Sequence, residues 1–159
     1  MKKYYLSGLF LSATLLLGAC SEEEEVTPIA STIEEYEKVL PASDFEKGEN
    51  NKYMSSVNTD IAYFAEENEE GEITSVFASA VTSNFDVQKA QIETSFKLLV
   101  ESVDSTLSET QIDKLFDDLN ITWNSDMLDT SKVKIFKDVT YTFYGDNENG
   151  AIVLKAEKR

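Results

Sequence analysis

The chain has 159 residues, of which 30 are acidic and 14 are basic, and its formal net charge is −16. Such an excess of negative charge opposes binding to nucleic acid and to anionic lipid surfaces, and it favours cationic or protein partners. Histidine is absent, so no Ser-His or Cys-His nucleophile can form and the commonest metal ligand is missing. We therefore expect neither an enzyme, nor a metal, nor a nucleic-acid partner.

The N-terminus has the layout of a secretory signal peptide. Lys2 and Lys3 give it a positive start, and residues 6–17 then form a mostly apolar run. A helix that stays across a bilayer needs about 20 apolar residues, which is longer than this run. The sequence therefore predicts that residues 1–19 are a cleaved signal peptide.

The apolar run ends in Leu17-Gly18-Ala19-Cys20, where an aliphatic residue and two small residues precede the only cysteine of the chain. This segment resembles the lipobox of bacterial lipoproteins. The resemblance implies cleavage between Ala19 and Cys20, followed or preceded by attachment of a diacylglyceryl lipid to the Cys20 sulfur, and no other cofactor. The lipid would hold the protein on the extracytoplasmic side of a membrane. The alternative is an ordinary signal peptide beside a chance cysteine.

A tether at residues 20–30 follows, and its residues 22–25 are four consecutive glutamates. Because like charges repel one another, such a run predicts an extended spacer. The order of cysteine, serine and acidic residues also looks like a signal that exports some lipoproteins to the outer-membrane surface of two-membrane bacteria. A plain spacer in a one-membrane envelope stays open as the other reading. The loss of two lysines with the signal peptide takes the formal charge of the chain to −18.

Residues 31–159 are predicted to form one domain, which begins with a helix and a hairpin. Ser31 or Thr32 caps the helix, and Pro41 ends it. Alternating and β-branched segments then predict strands, with the acidic stretch 67–71 as a hairpin turn. These strands cover residues 53–57, 59–66 and 72–82.

Two further helices are predicted in the middle of the domain. Asn84 or Asp86 caps a long helix that has one apolar face. Ser108 and Gln111 have the spacing of a capping box, in which Gln111 reaches back to the Ser108 backbone. The second helix carries the cleanest apolar periodicity of the chain and ends near Asn120.

A second hairpin is predicted at the C-terminus, with Asn149-Gly150 in its turn and strands at residues 133–136, 139–144 and 151–156. The expected fold class is α+β: an antiparallel sheet of two hairpins with a helical pair packed on one face and a short N-terminal helix. No internal repeat is strong enough in the sequence to indicate duplication.

Residues 103–119, with the sequence VDSTLSETQIDKLFDDL, lie between the two predicted hairpins. With this order of elements, most of the segment 31–159 resembles small secreted lipoproteins of low-GC, one-membrane bacteria. The resemblance is a pattern of elements, so it implies a location outside the cytoplasm and transfers no functional residue. It also disagrees with the outer-membrane reading of the acidic run, and both readings stay open.

Several residues have a structural interpretation that is stronger than a functional one. The turn at residues 146–150 carries oxygen ligands but lacks the bidentate glutamate of a calcium loop. Asp117 and Asp118 are adjacent on a helix and therefore diverge by about 100°. Trp123 is expected to anchor a linker in the core in preference to stacking on a ligand.

Tyr63 and Tyr144 are the candidate interaction residues, because both lie on predicted strands and could share the uncovered sheet face. The leading hypothesis is a membrane-anchored, non-enzymatic binding module with a protein or cationic ligand of the cell envelope. One alternative is a phage-type immunity or superinfection-exclusion lipoprotein. Another is an envelope hydrolase, which would need two buried carboxylates that face each other.

Overall fold

A computed structural model describes residues 27–40, 44–82 and 85–159, without the side chains of residues 125 and 126. Ala19, Cys20 and residues 22–25 lie outside the described residues, as do Pro41 and Asn84. The signal peptide, the lipidation site and most of the tether therefore stay predictions from the sequence.

The described chain is α+β, and its sheet is antiparallel throughout, as the sequence predicts. The strand order is β1-β2-β3-β4-β7-β6-β5. In chain order the elements are α1 (Ile33–Val39), β1 (Glu46–Lys47), β2 (Lys52–Ser56), β3 (Ile61–Glu67), β4 (Ile73–Val81), α2 (Phe85–Val103), α3 (Glu109–Asp118), a 3-10 helix (Ser125–Asp129), β5 (Ser131–Phe136), β6 (Val139–Asp146) and β7 (Ala151–Lys158).

Local hydrogen bonds explain where the helices begin and end. The Thr32 hydroxyl accepts a hydrogen bond from the Glu35 N–H at 3.3 Å, which caps α1. Gln111 reaches back as predicted, since its Oε1 accepts hydrogen bonds from the Ser108 N–H at 2.9 Å and from the Ser108 hydroxyl at 3.0 Å. Beyond α3, Asn120 has a φ of 59°, a left-handed conformation that asparagine tolerates and that stops a helix.

Helices contact one face of the sheet, which we call the covered face. The ring of Phe96 in α2 meets that of Phe143 in β6 with centroids 6.4 Å apart. From α3, Asp118 forms an ion pair at 2.8 Å with Lys134 of β5. The buried sheet residues on this face include Ser55, Ile61, Tyr63, Ala65, Ile73, Val76, Ala78, Ala80, Val139, Tyr141, Phe143, Ile152, Leu154 and Ala156.

The two halves of the domain share one topology. Each has a helix followed by a three-stranded meander, α1 with β2–β4 and α3 with β5–β7, and the strand order is symmetrical about the central β4–β7 pair. The turns that end β3 and β6 read Glu67-Asn68-Glu69-Glu70-Gly71 and Asp146-Asn147-Glu148-Asn149-Gly150, and both glycines have positive φ. The fold therefore has an internal topological symmetry that the sequence pattern alone did not reveal.

Register makes the correspondence between the halves specific. Phe77 and Lys155 pair with each other across β4 and β7. Outward from Phe77 come Phe64 and then Met54, whereas outward from Lys155 come Thr142 and then Val133. In the same register Tyr63 corresponds to Tyr141, and both are buried on the covered face.

The halves differ in the segment that precedes their first long strand. In the first half, β1 pairs with the outer edge of β2. In the second half, residues 119–130 contain the 3-10 helix, which contacts β6. Gly145 of β6 donates its N–H to the Thr130 carbonyl at 2.8 Å at this contact. As a result, no strand in the described part of the chain pairs with the outer edge of β5.

Removing the hydroxyl group is expected to affect stability differently at two buried tyrosines. The Tyr36 hydroxyl is hydrogen-bonded to Ser102 Oγ at 2.9 Å, whereas the buried Tyr141 hydroxyl has no hydrogen-bond partner in the structure, and burial raises its pKa. We expect Tyr36→Phe to lower the free energy of unfolding by about 1 kcal/mol and Tyr141→Phe to leave it unchanged or raise it. Urea unfolding of both variants measures this, and equal losses would contradict it.

Candidate functional site: the open sheet face

The second face of the sheet, which we call the open face, is the candidate site. It consists of the side chains that alternate with those of the covered face, and no described helix contacts it. Its central residues are Lys52, Met54 and Ser56 of β2, Ala62, Phe64 and Glu66 of β3, Ser75, Phe77 and Ser79 of β4, Val153, Lys155 and Glu157 of β7, Thr140, Thr142 and Tyr144 of β6, and Ser131, Val133 and Ile135 of β5. Glu46 of β1, Val81 of β4, Asp146 of β6 and Ala151 of β7 lie at its margins.

Aromatic and aliphatic side chains lie in the middle of the open face. Phe64 and Phe77 pair across β3 and β4 and stack with ring centroids 4.8 Å apart and an angle of 10° between the rings. Both rings are only partly buried, whereas Val153 on the neighbouring strand β7 is almost fully buried, with 8% exposure. An antiparallel sheet that faces water usually carries polar residues there, so this apolar centre is a candidate contact surface.

The charged residues of the open face compensate one another. Glu66 forms ion pairs with Lys52 at 2.7 Å and with Lys155 at 3.7 Å, and Lys155 also reaches Glu157 at 2.9 Å. Burial acts to raise the pKa of Glu66, but hydrogen bonds from Lys52 and Ser75 outweigh it and hold that pKa below its usual value. These four charges therefore cancel one another in the middle of the open face, whereas Glu46, opposite Met54, and Asp146, at the end of β6, add carboxylates at its margins.

Tyr144, one of the two candidate interaction residues, lies on the open face and is 40% exposed. It pairs with Ser131 of β5, so it is diagonal to Val133 two residues further along that strand. Val133 is 64% exposed and Ile135 is 48% exposed. We call Val133, Ile135 and Tyr144 the corner patch, because they form the apolar corner of the open face beside the outer edge of the sheet.

Tyr63 does not share this surface with Tyr144. It lies on the covered face, is 2% exposed and donates its hydroxyl hydrogen to the Ser95 carbonyl at 3.2 Å. Tyr63 borders a cavity of about 510 Å³ between α2 and the segment that joins β2 to β3. The interaction surface expected from the two tyrosines together is therefore not formed, and only Tyr144 remains on it.

Trp123 packs between aromatic side chains of the two long helices. Its ring centroid is 5.9 Å from that of Phe96 and 5.7 Å from that of Phe116. Its φ of 54° is unusual for a bulky residue, and its backbone N–H donates a hydrogen bond to Met127 Sδ at 3.2 Å. These contacts agree with its expected role as an anchor for the linker after α3.

The described carboxylates show the geometry of surface charge. The buried polar side chains are those of Ser55, Ser75 and Ser95, and no described aspartate or glutamate is among them. In the turn after β6, Asp146 accepts hydrogen bonds from the backbone and side chain of Asn149, which holds its pKa below the usual value. Within the described ranges, no group of three or more acidic or cysteine residues is placed to hold a metal ion.

No protein family, curated protein sequence or solved structure matches this chain. None of the helices in the part of the chain that the structure describes is long and apolar enough to cross a bilayer. The role of the open face therefore has to be inferred from its own residues, and its apolar centre is the feature that a solvent-facing sheet does not account for.

Proposed function

We propose that this chain is a membrane-anchored extracytoplasmic lipoprotein whose domain is a non-enzymatic binding module, with the open face as its contact surface. The observation that carries the binding role is the apolar, charge-compensated open face. The motif Leu17-Gly18-Ala19-Cys20 supports the lipid anchor. In this proposal the helical pair and the short N-terminal helix support the sheet from its covered face, which leaves the open face to a partner.

Charge distribution favours a protein partner for this face. The mature chain has a formal charge of −18, so repulsion keeps most of its surface away from anionic lipid head groups. The middle of the open face escapes that repulsion, because Lys52 and Lys155 are paired with Glu66 and Glu157. An apolar centre with a polar surround is the usual composition of a protein–protein contact.

The acidic tether supplies the reach that such a module needs. Ile29 and Ala30 are hydrogen-bonded to Ile73 of the domain, which leaves residues 20–28 as the spacer. An extended chain covers at most about 3.6 Å per residue, so these nine residues span up to about 32 Å. This length lets the domain rotate on its anchor and meet a partner within the envelope. Self-repulsion of the four glutamates keeps the spacer extended.

A capture experiment with open-face variants tests the proposal. The lipidated full chain in envelope extract should retain a discrete protein partner, and the double variant Met54→Lys/Tyr144→Lys should lose it, because two charges are placed in an apolar contact. Both side chains are exposed, at 45% and 40%, so the fold should tolerate the change. Quantitative mass spectrometry of the captured proteins at several salt concentrations is the measurement.

The matched control adds the same two charges on helices. Val39 of α1 and Val87 of α2 are 52% and 86% exposed. We expect Val39→Lys/Val87→Lys to retain the partner at the wild-type level. Equal retention by both double variants, or no discrete partner at any salt concentration, would count against the open face as the binding surface.

A further inference from the structure

The outer edge of β5 is an unpaired strand edge. Among the described residues β5 hydrogen-bonds only to β6, so the backbone groups on its other side have no strand partner. Such edges accept an added strand from another chain, which gains main-chain hydrogen bonds. The opposite edge of the sheet is different, because β1 lies beside β2.

The matching topology of the two halves favours a strand beside β5. β1 pairs Glu46 with Met54 and Lys47 with Tyr53 on the outer edge of β2. In the register of the two halves, the place of Met54 is taken by Val133 on β5. The chain segment that could have supplied a second β1 forms the 3-10 helix against β6 instead. One half of the molecule therefore demonstrates a strand at the position that is unpaired in the other half.

The side chains of β5 define the chemistry that would fit this edge. On the open face, Val133 and Ile135 are the most exposed apolar residues of the sheet. On the other side are Lys132 and Lys134, and residues 131–137 contain three lysines and no acidic residue. Lys134 pairs with Asp118, whereas Lys132 is exposed and forms no ion pair within the described ranges.

A second copy of this chain fits the edge poorly. In an antiparallel pair, opposite residues point to the same face, so a self-pairing centred on Val133 places Lys132 opposite Lys134. Centring it on either lysine places that lysine opposite itself, and like charges directly opposite each other destabilise a strand pair. Centring it on Ile135 avoids this repulsion but pairs only residues 134–136 of the strand. The edge therefore favours a guest strand that differs in charge from β5.

We propose that β5 binds an extended strand of a partner protein that alternates acidic with apolar residues. Its acidic side chains lie opposite Lys132, which forms no ion pair within the described ranges, and opposite Lys134, which they share with Asp118. Its apolar side chains lie opposite Val133 and Ile135 and extend the corner patch. This inference rests on the proposed binding function and specifies the partner for one edge of the open face. The negative charge of the whole chain does not prevent it, because salt screens distant charges beyond about 8 Å at physiological ionic strength.

The test uses the full chain with Cys20→Ala, purified without lipid, and a short blocked peptide that alternates glutamate with valine. Titration followed by backbone amide NMR should shift the signals of residues 131–136 and slow their hydrogen exchange. A peptide with lysine in place of glutamate should bind about tenfold more weakly, because attraction is replaced by repulsion at each position.

Charge reversal on β5 separates the proposed contact from general electrostatics. Lys132→Glu should weaken binding of the glutamate peptide about tenfold and strengthen binding of the lysine peptide. Lys89→Glu is the matched control, because Lys89 is exposed on α2 and its replacement changes the net charge equally. This control should bind both peptides like the parent chain.

Each remaining outcome has a defined meaning. Three outcomes would overturn the proposal. They are NMR signal shifts confined to other elements, equal peptide binding by Lys132→Glu and Lys89→Glu, and concentration-dependent self-association through β5. If the peptide fails while envelope capture still depends on Met54 and Tyr144, the strand proposal fails and the proposed function stands. If both fail, the proposed function fails as well.

Discussion

Replacing Cys20 with alanine is expected to transfer the protein from the membrane fraction to the soluble fraction. The lipobox implies a thioether-linked diacylglyceryl group on this sulfur, and each buried methylene of its two chains contributes about 0.8 kcal/mol of membrane affinity. No other cysteine can take over the modification. Membrane pellets washed with high salt and with alkaline carbonate, followed by immunoblotting, measure the change.

The neighbouring substitution Ser21→Ala is the matched control, because it leaves Leu17-Gly18-Ala19-Cys20 intact. Its product should stay in the washed pellet and incorporate radiolabelled palmitate like the parent chain. The alanine variant at Cys20 should incorporate none. A Cys20→Ala product that had lost residues 1–19 and still remained in the washed pellet would show that something other than this lipid holds the protein on the membrane.

Local sequence signals predicted the elements that depend on local physics. The apolar stripe of α3 and the reach of Gln111 back to Ser108 need only neighbouring residues, and both are present. β1 was missed, because a two-residue strand is stable only through distant contacts. Lys47 of β1 reaches Glu67 of β3 and lies 5.2 Å from the centre of the Tyr53 ring.

The face of a strand is harder to predict when both of its faces are apolar. In β3, Ile61, Tyr63 and Ala65 alternate with Ala62 and Phe64, so polarity does not distinguish the covered face from the open one. Tyr63 was therefore grouped with Tyr144, although helix α2 buries it. β6 alternates tyrosine and phenylalanine with threonine, and there the position of Tyr144 on the less apolar side followed from the pattern.

The two halves share a topology, yet the two edges of the sheet differ. The halves agree at the turns after β3 and β6 and at Tyr63 and Tyr141, where burial restricts change. They differ in the segment before the first long strand. In the second half the 3-10 helix holds that segment against β6. Whether the β5 edge stays unpaired therefore depends on how firmly this helix packs against β6.

Gly145 is the residue that permits this packing, and Gly145→Ala is expected to be the most destabilising single-methyl addition at a glycine. A Cβ at this position would lie 2.1 Å from the Met127 carbonyl oxygen and 2.5 Å from Leu128 Cα. Both atoms belong to the backbone, so no side-chain rotation relieves the clash. The 3-10 helix or β6 must move, at a cost of about 2–4 kcal/mol in the free energy of unfolding.

Gly48→Ala provides the control, because a Cβ there meets only the Lys52 carbonyl oxygen, at the ordinary contact distance of 3.5 Å. Its free energy of unfolding should stay within about 0.5 kcal/mol of the parent value. Urea unfolding followed by fluorescence is well suited to the comparison, since the sole tryptophan, Trp123, lies two residues before the 3-10 helix. If Gly145→Ala matched the parent in stability, the 3-10 helix could not be packed on β6 as closely as the structure has it. The explanation for the unpaired β5 edge would then fail with that contact.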